Sequence, residues 1–219
     1  MSQGQAQVCE PPEPRGSAPG PLPAILVTGI TQAARQRAID SLIDLKPESQ
    51  RWIVVASGLV ARHASAGRRP ADVEFAVLPP GCLCCTGLLP FKVGLTRLLR
   101  RLSTWAPARL IIDAGTESHA AGVRTELKKP AFAGLLRLET TIAAVDANSI
   151  DSAARAQRRA LGDLCAAADL VICEAGATIV SDNGYARFRA ESGVTAPILS
   201  ATDPACAVYL GLRIGPAPV

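Results

Sequence analysis

Apolar residues in this chain gather into short continuous runs, and the stretches between the runs are polar or carry apolar residues at helical spacing. The first run, Ala24-Ile25-Leu26-Val27, ends in Thr28-Gly29 and predicts a buried strand with its turn. Residues 32–45 place Ala34, Ala38, Leu42 and Leu45 on one helical face, and Pro47 helps to end that helix. Ile53-Val54-Val55-Ala56 predicts a second buried strand. Residues 57–71 are polar and basic and read as a loop. Val73, Phe75 and Val77 then alternate, as in a strand with one face buried. A helix follows from about Leu88 to Ser103, with Leu95, Leu98, Leu99 and Leu102 on one face and Arg97, Arg100 and Arg101 on the other.

Leu110-Ile111-Ile112 predicts a strand ending in Asp113-Ala114-Gly115-Thr116, and Thr141 to Val145 another ending in Asp146. Residues 149–167 read as a helix, Asp169 to Cys173 as a strand, 181–191 as a helix and Pro197 to Ser200 as a last strand. Strands alternating with helices predict an α/β fold: a doubly wound, mostly parallel sheet flanked by helices. Residues 24–219 read as a single domain without internal repeats. Residues 1–23 carry six prolines and little that is apolar, and read as a disordered leader.

Composition narrows the function classes. The 219 residues are 48% hydrophobic but only 4% aromatic, so the core must be built from Ala, Leu, Val and Ile. The net charge of +4, from 23 basic and 19 acidic residues, does not argue for nucleic acid. No apolar run approaches the roughly 20 residues that span a bilayer. The N-terminus shows no signal peptide. Seven cysteines is an odd count, and three of them fall within four residues. Secreted disulfide frameworks spread their cysteines out, so a reducing cytoplasm is the expected compartment.

That cluster lies in Pro79-Pro80-Gly81-Cys82-Leu83-Cys84-Cys85-Thr86-Gly87. Cys82 and Cys85 have the spacing that aims two sulfurs at one tetrahedral ion, and Cys84 adds a third thiolate. Sulfur ligands select zinc or another soft metal over magnesium or calcium. The dipole of the following helix favours ionised thiols. Three sulfurs leave one position for His63, Glu74 or a second chain, and thiolates from a homodimer can share one ion. A redox pair and plain packing are the other readings of these residues. Cys165 and Cys173 read as core packing, and Cys9 and Cys206 carry no motif. His63 and His119 fall in predicted loops. Asp113 and Asp146 end strands, where the crevice of an open α/β sheet lies; strand-end aspartates also cap turns.

The order strand, Gly-turn, helix, then Gly81-Cys82-Leu83-Cys84-Cys85 before a second helix, resembles the CobW family, P-loop GTPases grouped with the HypB and UreG metallochaperones. The resemblance covers about residues 24–200, the family's nucleotide-binding domain; the usual C-terminal domain is expected to be absent. The Gly81–Cys85 segment is similar to the family's GCxCC metal motif. Leu110 to Gly115 resembles its second switch strand, Ala144-Val145-Asp146-Ala147 is a weaker match, and residues 197–201 resemble the strand leading to its last base-binding loop.

The nucleotide loops depart from the pattern. A phosphate loop GxxxxGK[ST] wraps phosphates with backbone N–H groups, sets Lys on the β/γ-phosphates and gives a hydroxyl to Mg²⁺. Here it reads Gly29-Ile30-Thr31-Gln32-Ala33-Ala34-Arg35-Gln36. Only Gly29 survives; Ala34, Arg35 and Gln36 replace the second glycine, the lysine and the hydroxyl. A guanidinium binds phosphate well, but Gln36 is a poorer Mg²⁺ ligand. Ala56-Ser57 replaces the family's Asn-Glu pair, and Cys173-Glu174-Ala175-Gly176 replaces its guanine-reading Asn-Lys-x-Asp.

The resemblance therefore implies a kept fold with GTP chemistry lost or severely weakened. Three functions compete: a degenerate GTPase-like protein that carries or senses a metal; a nucleotide hydrolase using Arg35, Gln36 and Asp113, with Asp113 near magnesium; and a non-catalytic partner of an intact relative, contacted through Arg97, Arg100 and Arg101. A metal ion and a metal-recipient protein are the expected partners in the first, with no membrane and no nucleic acid.

Overall fold

The structure is a computed structural model. It describes residues 20–57, 71–78, 83, 88–101, 105–115, 119–146, 155–174, 186, 188–190, 193–200 and 203–211. The strands are β1 (Leu22–Thr28), β2 (Trp52–Ser57), β3 (Val73–Leu78), β4 (Arg109–Asp113), β5 (Leu136–Asp146), β6 (Leu170–Glu174) and β7 (Ile198–Ser200). The helices are α1 (Gln32–Asp44), α2 (Leu88–Arg101), α3 (Ala120–Leu127), the single turn α4 (Pro130–Ala133), α5 (Arg155–Ala166) and α6 (Pro204–Tyr209). No helix among the described residues is long and apolar enough to cross a membrane.

The strands form one seven-stranded sheet in the order β3-β2-β4-β1-β5-β6-β7, and every pair is parallel. This is the doubly wound architecture that the alternating runs predict. Parallel strands covered on both faces need apolar residues at successive positions. Ala24, Ile25, Leu26 and Val27 are accordingly all fully buried, as are Leu110, Ile111 and Ile112. On one face Ile25, Val27, Ile142 and Ile172 meet Ala38, Ile39 and Leu42 of α1 and Ala207 of α6. On the other, Leu26, Ile53, Val55 and Ile112 meet Phe91 and Leu95 of α2, Val123 of α3 and Phe132 of α4. Ala143, Val145 and Val171, on that second face, meet Leu161 and Cys165 of α5.

The differences from the sequence expectation are local. β1 begins at Leu22, so Pro23 is inside it, opposite Arg137; a proline is tolerated near the start of a strand. β3 buries Val73 but leaves Val77 51% exposed; among the described strands it pairs with β2 alone, at the sheet edge. β5 runs eleven residues, starting well before Thr141. α3, α4 and α6 are not foreseen. His119, expected in a loop, is the N-cap of α3, and its Nδ1 accepts from the Gly122 N–H at 3.4 Å. Asp203 caps α6 by accepting from the Ala205 N–H, with Pro204 in the first turn.

Two polar ties hold the lower end of the sheet. Arg124 of α3 donates to Ala167 O at 2.8 Å and to Asp169 Oδ1 at 2.7 Å. Asp169 Oδ2 accepts from the Thr141 N–H at 2.8 Å, and its carbonyl accepts from the Tyr209 hydroxyl at 2.7 Å. Elements on both faces thus converge on the residue before β6.

The second tie is Lys46, just past α1. Its ammonium donates to Pro47 O at 3.1 Å, to Gln50 O at 3.0 Å and to the Asp72 carboxylate. The bond from Lys46 holds the Asp72 carboxyl below its ordinary value of 3.8, against an opposing effect of burial. A depressed carboxyl pKa contributes stability above the unfolded value and loses it as pH falls through the folded one. In thermal unfolding across about pH 3 to 6, the wild-type advantage over Asp72→Asn is therefore expected to be largest above about pH 5 and to shrink below about pH 4. A difference that does not change with pH would show that the pair does not set the acid limb.

Candidate functional site

The strands run parallel, so their C-terminal ends share one edge of the sheet. The connections before β4 extend the sheet to one side of β1, and those after it to the other. A crevice therefore opens over the ends of β1, β4 and β5, the place where open α/β sheets bind ligands. Gly29 follows β1, Asp113 ends β4 and Asp146 ends β5. The N-terminus of α1 faces the same edge. Thr31 is its N-cap, accepting from the Ala34 N–H at 3.2 Å, and there is no acidic residue in its first turn.

Arg35, the fourth residue of α1, is fully buried, and Asp113 is 2% exposed. Arg35 Nε donates to Asp113 Oδ1 at 2.6 Å, and Nη1 donates to Gly29 O at 2.9 Å. Nη2 is buried without a hydrogen-bond partner among the described residues. Asp113 Oδ1 also accepts from the Gly115 N–H at 3.1 Å. A cation near the positive end of a helix dipole is unfavourable alone. The buried carboxylate offsets it, and the charge-assisted bond fixes the geometry.

Gly29 has a steric role in this arrangement. A Cβ there would lie 2.7 Å from Ala144 O and 2.8 Å from Arg35 Cγ. The missing side chain is what lets the Arg35 stem and the β5 backbone close on the turn. Gln36, in contrast, turns outward along α1 and donates to Asp40 Oδ1 at 2.9 Å. Of the four residues assigned to nucleotide from the sequence, the structure thus brings together Gly29, Arg35 and Asp113.

Sequence reasoning missed Arg37. Its Nη2 donates to Asp146 Oδ2 at 2.8 Å, so α1 is tied to β5 as well as to β4. An arginine two positions after Arg35, in a fold with aspartates at the ends of two strands, was the available signal.

Cys82, Cys84, Cys85 and His63 lie outside the described residues, as does most of the basic loop before β3. Leu83, the middle of the cysteine motif, is described and fully buried. It packs in the apolar cluster that holds Leu78 of β3 with Phe91 and Leu95 of α2. Glu74 pairs with Arg101 of α2 at 2.9 Å. Arg97 and Arg100 are exposed.

Cys165, Cys173 and Cys206 are buried thiols. Burial, with a smaller effect of nearby Cys173, pushes the Cys165 thiol up to about 12. It is neutral at physiological pH, and the thiolate is the form that binds metals and reacts. Cys165 and Cys173 pack as small apolar residues in the cluster with Ala143 and Val171, and Cys206 Sγ donates to Ser200 O at 3.2 Å.

Two outcomes follow. Arg35→Met leaves the Asp113 carboxylate buried without its cation and is expected to cost about 3–5 kcal/mol in urea unfolding. Arg35→Met/Asp113→Leu should recover most of that loss, and a double variant as unstable as the single one would contradict a charge-based cost. In native protein treated with iodoacetamide, Cys165 and Cys173 are expected to stay unlabelled until denaturant is added; mass spectrometry of the peptides reads this directly.

Residues 23–182 match the family model described as "CobW/HypB/UreG, nucleotide-binding domain". The zinc chaperone YeiR of Escherichia coli (strain K12) is 27% identical over 149 residues, which are 67% of this chain and 44% of YeiR. The chain thus spans less than half the length of this curated relative. Among solved structures, zinc-bound YjiA GTPase from E. coli superposes with a TM-score of 0.54 at 15% identity, covering 82% of this chain and 57% of YjiA. A zinc-bound triple mutant of YjiA gives 0.56 at 15% identity, covering 83% and 58%. At this identity the likeness establishes the P-loop GTPase-like fold. The family match covers most of the chain, and the chain belongs to the CobW/HypB/UreG family through its nucleotide-binding domain.

Proposed function

We propose that this chain binds zinc, or another soft divalent metal, through Cys82, Cys84 and Cys85 and carries or senses it in the cytoplasm, with GTP chemistry lost or weakened. The observation that carries the reading is the donor set: three thiols in four residues, with the intervening Leu83 anchored in the core. Sulfur donors suit zinc, and the buried leucine fixes the middle of the motif between β3 and α2. Three protein ligands leave a fourth tetrahedral position exchangeable, which suits transfer to a recipient better than a closed structural site. The name of the relative YeiR, a zinc chaperone, agrees with this. A metal-recipient protein or an intact member of the family is the partner that such a role requires.

The nucleotide half of the reading rests on Ala34, Arg35 and Gln36. A phosphate loop of the usual pattern offers a free lysine and a hydroxyl for Mg²⁺. Here the cation at the lysine position is paired with Asp113, and Gln36 is turned to Asp40. Hydrolysis through Arg35, Gln36 and Asp113 is the less favoured reading for that reason.

Titration of the reduced chain with zinc against a chromophoric chelator tests the proposal. About one tight equivalent per chain is expected, and it should disappear in Cys82→Ser/Cys84→Ser/Cys85→Ser. A stoichiometry of about one ion per two chains would mean that a dimer shares it. Equal uptake by the triple variant would remove the cysteine motif as the site.

A further inference from the structure

Asp113 sits where an anion is needed. The head of α1 presents a fully buried guanidinium and no acidic residue in its first turn. Two of the three guanidinium nitrogens are already committed, Nε to Asp113 and Nη1 to Gly29 O. A phosphate engages arginine best through two parallel N–H donors. Nη2 is buried and lacks a partner among the described residues, but a phosphate that reached it would meet a guanidinium whose charge Asp113 already offsets and whose Nε donor Asp113 already occupies. The Arg35 stem also lies against the Gly29 backbone, in the space that a Cβ at residue 29 would take.

We propose that Asp113 acts as a resident anion, an autoinhibitory latch that holds Arg35 and keeps polyphosphates off the head of α1. The carboxylate supplies from inside the fold the negative charge that a triphosphate tail would bring from outside. The latch has a second bolt in Arg37–Asp146, which ties the same helix to β5. A ligand that enters must therefore break a buried ion pair before it gains its own. Among the described residues, the carboxylates paired with Arg35 and Arg37 are the two at the strand ends. This inference deepens the nucleotide half of the proposed function and is independent of the cysteine motif.

The test is calorimetry of the full chain with sodium tripolyphosphate and with Mg·GTP. Wild type is expected to show no saturable binding up to about 1 mM of either. Asp113→Asn releases the guanidinium and should bind tripolyphosphate at least about tenfold more tightly than wild type. Arg35→Gln/Asp113→Asn should lose that gain, which places the anion on Arg35. Where circular dichroism shows Asp113→Asn unfolded, Asp113→Ser takes its place, because it also removes the carboxylate from Arg35, and the same gain is expected. Micromolar binding by wild type, or a folded latch variant with no gain, would overturn the proposal. Zinc uptake measured on the same samples separates the two ideas: its absence from wild type would fail the metal reading and leave the latch result unchanged.

Discussion

A buried charge pair organises the ligand-facing edge of this domain. Arg35 and Asp113 come from positions 78 residues apart, and both are almost without solvent. Their 2.6 Å contact is acceptable in the interior only because each neutralises the other. That need dictates the surroundings. Residue 29 must lack a Cβ so that the arginine stem can cross its backbone. β4 must end at Asp113, level with the turn after β1, which the Val27–Asp113 register provides. α1 must enter at the angle set by its Thr31 cap. A change in any of these positions is felt first as a buried charge losing its partner, a cost larger than that of an ordinary surface substitution.

The apolar strands were legible because fully buried parallel strands are written as uninterrupted runs. Ile25-Leu26-Val27 and Leu110-Ile111-Ile112 have no polar alternation to confuse the period, and they form β1 and β4 as expected. Less was legible where tertiary context decides. The first half of β5 contains Arg137 and Glu139, which pair with each other at 2.6 Å while Glu139 also reaches Arg109 at 3.2 Å; the sequence expectation started this strand only at Thr141. α3 carries only Ala120, Val123 and Leu127 as buried residues and starts from a histidine cap, a rare choice at that position. Val77 keeps the alternation of a buried face but lies on the edge strand β3 and is 51% exposed.

The site divides the same way. Local chemistry needs only spacing: three thiols in four residues suggest a soft-metal site from the sequence alone, and that role remains the proposal made above. The role of Arg35 could not be read, because its partner is fixed by strand order and not by spacing. From the sequence, Arg35 was a cation available to a phosphate; in the fold its Nε and Nη1 are both spoken for. The equally distant pairing of Arg37 with Asp146 was invisible for the same reason. Gln36 shows the converse, since a helical i,i+4 bond to Asp40 is the local outcome that its sequence permits.

Strand order also relates the ion pair to the cysteine motif. In the register of the sheet, Asp113 of β4 is opposite Ala56 of β2, and Ala56 is opposite Val77 of β3. Leu78 closes β3 and shares its apolar cluster with Leu83 of the motif. Asp113 and Val77 are therefore at one level, two strand spacings apart, on the order of 10 Å. In a nucleotide-switched domain such closeness would let a phosphate at the head of α1 be felt at the end of β3. Under the latch proposal the group at that level is a carboxylate of the chain itself, paired with Arg35. While that pair is closed, no phosphate occupies this level to shift a population. Under the proposed function, whatever makes the cysteine motif release its metal must act on the motif directly, and the recipient protein is the participant placed to do so.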